Sequence, residues 1–171
     1  AINEPEVKIL SIATRPDCLS PEILDLLDRL NKIKPVWIEL GLQTIHKASS
    51  DFIRRGYELD VFEKAVYDLD RLGIPVIVHT ILFLPNETRE MMLETISYLN
   101  QIPIDGIKLQ LLHVLEHTDL ARYYREHPFH LPDLNEYLET LSLLLSKLRP
   151  DIVVDRITGD GPKNILIEPK W

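Results

Sequence analysis

Five short apolar runs, separated by segments of helical periodicity, constrain this chain more than any other feature. They are VKILSIAT (7–14), VWIELGLQT (36–44), PVIVHTILF (75–83), GIKLQLLHV (106–114) and DIVVDRIT (151–158). In the first intervening segment Ser20 can cap, Pro21 suits the first helical position, and Ile23, Leu26, Leu27 and Leu30 form an apolar stripe. A second segment opens with Asp60 and Glu63 at capping-box spacing, buries Phe62, Ala65, Val66 and Leu69, and stops at Gly73. A third follows Asn86 and carries Met92, Thr95, Ile96 and Leu99. A short helix near 118–126 and a long one from Asp133, with Glu136 three residues on, precede the last run.

Strands alternating with helices in this way predict βαβ units and a mostly parallel sheet. Right-handed crossovers then bring every strand C-terminus to one rim. Five units do not close an eightfold barrel, which takes about 250 residues. The chain is therefore an open doubly wound sheet or a piece of a barrel. Its 171 residues, 45% of them hydrophobic, suffice for a single domain spanning residues 1–171.

The formal net charge of −8 argues against a nucleic-acid backbone as the main ligand. Cys18 is the single cysteine, so it makes no internal disulfide and supplies no thiolate cage, and a reducing cytoplasm is expected. No apolar run reaches the roughly 18 residues of a membrane span, and AINEPEVK at the start lacks a signal-peptide pattern. The chain does not begin with methionine, so processing, or origin in a longer protein, is expected.

Ligands of both architectures sit beyond the strand C-termini. Those ends read Thr14 to Asp17, Gln43 and Thr44, His79 and Thr80, His113, and Arg156 to Asp160. A polar rim on an apolar sheet locates a site without naming its chemistry. Each residue also has a plainer role. Asp17 can close its own turn after Pro16 or pair with Arg15, and Gln43 can satisfy backbone groups. Arg54 can face solvent or meet Asp51. Glu39, a carboxylate inside a strand, needs a partner and is expected on a barrel interior beside polar neighbours. His79 and His113 are potential metal ligands, but no third ligand stands at telling spacing, so hydrogen-bonded histidines are expected. His117, His127 and His130 are expected in solvent. TGDGPKN (158–164) lacks the ending of a phosphate loop, and neither GxGxxG nor GxSxG occurs.

Taken in order, SIATRPDCL, ELGLQTIH with its following RRG, LPNETREMMLET, IKLQLLHVLEHT and RITGDGPK resemble the radical SAM superfamily. The nearest resemblance is to YhcC-type Fe–S proteins, and more distantly to the radical SAM domains of elongator acetyltransferase subunits and oxygen-independent coproporphyrinogen oxidases. The resemblance implies part of a (β/α)₆ barrel with outer helices. Its first strand would lead into a CxxxCxxC loop holding a [4Fe–4S] cluster, which binds S-adenosylmethionine (SAM). No such triplet occurs here, so VKILSIAT corresponds to the third barrel strand and the cluster is not expected in this chain. The parent would be an enzyme that cleaves SAM reductively to a 5′-deoxyadenosyl radical; this chain alone would be inactive.

The same resemblance places a cofactor-facing glutamine at Gln43 and a carboxylate-binding arginine at Arg55, twelve residues on. A ribose- or adenine-contacting position falls on His79. Relatives commonly read NGLPGET where this chain has LFLPNET, so Phe83 and Asn86 replace glycines, and Phe83 is expected to pack on adenine or fill space. Ala13 stands where relatives often carry glutamate, and no SAM contact is expected from it. Which of Asp17, His113, Arg156 and Asp160 would meet substrate stays open. Two other readings compete: a ligand-binding or regulatory domain without a cluster, and a mononuclear metalloenzyme using His79, His113 and a carboxylate. VKILSIAT would form an exposed apolar edge, which is expected to drive dimerisation or aggregation.

Overall fold

The computed structural model describes residues 2–159 and 161–171; Asp160, one of the rim candidates, lies outside them. The sheet contains β1 (Leu10–Thr14), β2 (Val36–Gln43), β3 (Val76–Leu82), β4 (Gly106–Leu111) and β6 (Val153–Arg156), ordered β1-β2-β3-β4-β6 and parallel throughout. The five apolar runs thus become its five strands. A doubly wound sheet reverses its order at a switch point. This one advances monotonically, the arrangement of a barrel segment, and so decides between the two architectures.

Helices α1 (Pro21–Asn31), α3 (Leu59–Arg71), α4 (Arg89–Leu99) and α6 (Leu134–Lys147) connect successive strands, with the shorter α2 (Lys47–Phe52) and α5 (Asp119–Glu126) at the rim. Strand alternation sends Val36, Ile38, Leu40 and Leu42 of β2 into full burial among Phe62, Val66, Leu69, Ile96 and Leu144. Each such aliphatic side chain stabilises the fold by roughly 1.5–3 kcal/mol. The opposite face carries Trp37, Glu39, Gly41 and Gln43 from β2 and His79 from β3, all only half-buried. The sheet therefore has a dry convex face under helices and a concave polar face, the interior of an incomplete barrel.

The helix starts follow sequence in part. Ser20, Thr118 and Asp133 accept from the backbone N–H three residues on, each satisfying one of the otherwise orphaned donors of its helix. The expected Asp60–Glu63 box is not the start of α3. Glu58 takes the cap position and Asp60 lies in the first turn, bonded to its neighbour Val61 N. Helix α4 follows Asn86 as expected and is capped by Thr88. On α1 only Leu27 is fully buried, while Ile23 and Leu26 are each 40% exposed, so half of the expected stripe is open.

Beyond the sheet, β5 (Val114–Leu115) and β7 (Leu166–Glu168) pair antiparallel, a strap that the apolar runs do not announce. Trp171 anchors the last turn: its Nε1 donates to the Pro132 carbonyl at 2.9 Å and its ring lies 5.4 Å from that of Tyr137. No helix is long and apolar enough to cross a membrane among the described residues.

Candidate functional site

The end of β2 departs from regular strand geometry. Gln43 has φ 66°, a left-handed conformation that non-glycine residues avoid, and the β2–β3 register slips between Gly41 and Gln43. Arg55 holds this turn. Its Nη1 donates to the carbonyls of Leu42 (3.0 Å) and Thr44 (2.8 Å), the two neighbours of Gln43, and its Nε donates to the Tyr57 carbonyl (3.1 Å). Arg55 is 7% exposed, so these bonds satisfy strand-end carbonyls that would otherwise be buried without a donor. The turn folds the Gln43 amide back over Gly41, where a Cβ would lie 2.7 Å from Gln43 Nε2. A Cβ there would displace the amide from this position.

Tyr57 is the centre of a second layer. Its hydroxyl donates to the Gly41 carbonyl, the Arg55 guanidinium carbon lies 4.9 Å from its ring centre and that of Arg15 5.4 Å. Burial pushes its phenol above the usual value against the pull of both arginines. Arg15 also forks onto Asp17, Nε to Oδ1 at 2.9 Å and Nη2 to Oδ2 at 2.6 Å. That hydrogen bond holds the Asp17 carboxyl below its ordinary range. Asp17 is thus engaged by its neighbour, the plainer of the two roles open to it.

Deeper on the concave face lies a charged network that joins all of the first four strands. Glu39 accepts from Ser11 Oγ (2.9 Å) through Oε1 and from Lys108 Nζ (2.5 Å) through Oε2, which also lies 2.7 Å from His79 Nε2. Gln110 Nε2 lies 3.1 Å from His79 Nδ1. With that amide donating, Nδ1 accepts, and His79 carries its proton on Nε2 toward Glu39. Burial pushes the Glu39 carboxyl up, but its bonds from Lys108, His79 and Ser11 and the Lys108 charge outweigh this and hold it at about 2. The expectation of polar neighbours for Glu39 holds.

Above the network opens a cavity of about 420 Å³ lined by Ala13, Thr14, Arg15, Glu39, Gly41, Gln43, Ile53, Arg55, Tyr57, His79 and Ile81. All three sequence-derived cofactor residues, Gln43, Arg55 and His79, meet there. Sharing the walls Ile53 and Ile81 is a more apolar cavity of about 340 Å³, formed with Phe52, Leu84, Leu112, Leu120 and Tyr123. The Arg54–Asp119 ion pair (2.9 Å) lies on its border. Arg54 thus bonds to α5 rather than to Asp51, which pairs with Lys47.

Several placements differ from those expected. His79 lies in the middle of β3 rather than at its end, because pairing with β4 continues to Leu82. Phe83 does not face the cavity: it is 6% exposed, with its ring 6.3 Å from Tyr137 on the convex side. Phe83 and Asn86 nevertheless keep left-handed backbones, φ 61° and 68°, a conformation that glycine adopts more readily. His113 packs against the loop of Gly159 and Gly161 and does not line the cavity with His79. His130 is exposed as expected and also bonds Glu136, and Arg156 is exposed at the end of β6, in register with Lys108. No cluster of three His, Cys, Asp or Glu that could hold a metal occurs among the described residues. Arg15 was named at the rim and as a partner for Asp17, whereas Tyr57, Lys108 and Gln110 were not singled out from sequence; the alternation of Lys108 and Gln110 within an apolar strand was the available signal.

Comparison with known proteins agrees with this geometry. The sequence profile of the radical SAM superfamily matches residues 1–99, and that of the radical SAM C-terminal domain matches residues 104–171. The chain is 38% identical over 162 residues to YtqA of Bacillus subtilis, covering 95% of this chain and 50% of that protein. It is 28% identical over 172 residues to YhcC of Escherichia coli, covering 100% of this chain and 56% of that protein. It thus spans about half the length of these relatives. Its fold superposes on archaeal Elp3 of Methanocaldococcus infernus with a TM-score of 0.83 at 24% identity, over 94% of this chain and 38% of that one. The two profile matches together span nearly the whole strand–helix sequence, and the chain belongs to the radical SAM superfamily.

Proposed function

We propose that this chain is the SAM-binding half of a radical SAM enzyme and that the polar cavity receives the cofactor. The observation that carries the reading is the convergence of Gln43, Arg55 and His79 on one cavity at the strand C-termini. SAM combines a carboxylate and an ammonium with a ribose and an apolar adenine. The polar cavity suits the first three groups, with the neutral Gln43 amide available to orient ribose or amine without placing charge beside the sulfonium. The adjoining apolar cavity suits the adenine across Ile53 and Ile81.

His79 contributes by position, since both its ring nitrogens are engaged by Glu39 and Gln110. When bound, SAM with its cluster supplies a 5′-deoxyadenosyl radical by reductive cleavage; the chain supplies binding, orientation and shelter from water. The residues described do not fit the cluster itself, because Cys18 is a single exposed thiol and a [4Fe–4S] centre takes several thiolates. Any cluster must therefore be held by other segments of the parent protein.

The test is anaerobic expression of the complete open reading frame that encodes this chain, reconstituted with iron and sulfide and given SAM and a strong reductant. Release of 5′-deoxyadenosine by that protein, and none by residues 1–171 alone, is expected. A cluster-free parent would refute the proposal in favour of a ligand-binding domain.

A further inference from the structure

We propose that Arg15, not Arg55, forks the carboxylate of the ligand in the polar cavity, and that Arg55 instead fixes the backbone that presents Gln43. This rests on reading the cavity as a SAM site and reassigns one contact within it. A guanidinium has five N–H groups, one on Nε and two on each terminal nitrogen, and grips a carboxylate best through two parallel bonds from one edge.

Arg55 has given away its Nε–H, to the Tyr57 carbonyl, and both N–H groups of Nη1, to Leu42 and Thr44. Only Nη2 is left, so none of its edges can fork a second acceptor without releasing a buried carbonyl at the end of β2. Arg15 spends only its Nε–H and one N–H of Nη2, both on Asp17. Its Nη1/Nη2 edge stays complete, and Arg15 lines the same cavity with a side chain 53% exposed.

Arg15 is also seated. Asp17 fixes one edge and the Tyr57 ring lies beneath the guanidinium. Gly56 leaves the space beside it: with φ 85°, it would bring a Cβ within 3.2 Å of Arg15 Nη2. A platform, a counter-ion and a missing Cβ hold one planar cation at the mouth of the cavity with an edge to spare. Asp17 and Tyr57 are then positioning residues for Arg15.

The test compares two probes, S-adenosylhomocysteine and its decarboxylated analogue, by calorimetric titration of the full-length protein. The wild type is expected to prefer the carboxylate form about ten- to a hundredfold, the range of charge-assisted hydrogen bonds. Arg15→Ala and Arg15→Gln should cut that preference at least tenfold while leaving the melting temperature unchanged. Gly56→Ala, which pushes on the seat, should lower it less. Arg55→Lys should weaken both probes alike and lower the melting temperature. Arg15 variants that keep the preference, or an Arg55→Lys protein that selectively loses it, overturn the assignment while leaving the SAM site standing. A wild type that binds neither probe overturns both.

Discussion

Replacing Glu39 with glutamine keeps the side chain's shape and removes the charge on which Lys108, His79 and Ser11 converge. A carboxyl that titrates at about 2 in the fold and at 4.5 in the unfolded chain contributes about 3 kcal/mol at neutral pH. The site supports a figure of that size, because the Glu39 side chain is 17% exposed and Lys108 16%, leaving little solvent screening between them. Because the folded value is the depressed one, the contribution is complete above pH 4.5. It is lost progressively as pH falls toward 2, where the carboxyl protonates even in the fold. Urea unfolding followed through Trp37 fluorescence should therefore show wild type more stable than Glu39→Gln by about 3 kcal/mol at pH 7. The gap should narrow below pH 4.5 and close near pH 2. In a Lys108→Met background the gap should shrink, since the largest partner is gone. Curves for the two proteins that fall in parallel from pH 7 to pH 2 would refute the network as an electrostatic unit.

Further outcomes are expected. Arg55→Lys, losing paired bonds to the carbonyls around Gln43, should lower stability by about 2 kcal/mol in thermal unfolding. Phe83→Gly relieves a left-handed backbone but empties a buried ring site, so a net loss of about 2–3 kcal/mol is expected, whereas Asn86→Gly should be neutral or stabilising by a few tenths. Asp133→Ala should cost about 1 kcal/mol by uncapping α6, read as a lower urea midpoint. We also propose that β1, which pairs only with β2 among the described residues, recruits a second copy; concentration-dependent mass in light scattering checks this, and a monomer at high concentration refutes it.

What was legible in the sequence was whatever repeats locally. The central strands β2, β3 and β4 showed as apolar runs because their convex face is dry, and α1 and α6 showed through Ser20 and Asp133, whose caps act within three residues. The cavity was legible as a rim because strand ends are read directly along the chain. Partnerships across the fold were not legible. Glu39 announced that it needed a partner, yet nothing near it pointed to Lys108, 69 residues away. Arg55 was placed by the resemblance as a carboxylate binder, but its service to the Leu42 and Thr44 carbonyls depends on the left-handed turn at Gln43, which no propensity predicts for glutamine. Of the two roles the resemblance left open for Phe83, packing on adenine or filling space, the core takes the second; the turn that sends it to the convex side appears only in the backbone.

The monotonic order of the sheet bears on how the chain comes to be folded. From β1 to β4 each strand lies beside the one made just before it, with one or two helices between. During synthesis every new strand therefore finds its docking edge already in place, and no segment must wait for a distant C-terminal partner. Only the strap of β5 and β7 breaks this rule, since β5 must wait some fifty residues for its partner. Assembly of the sheet can thus keep pace with the ribosome, while the strap closes last.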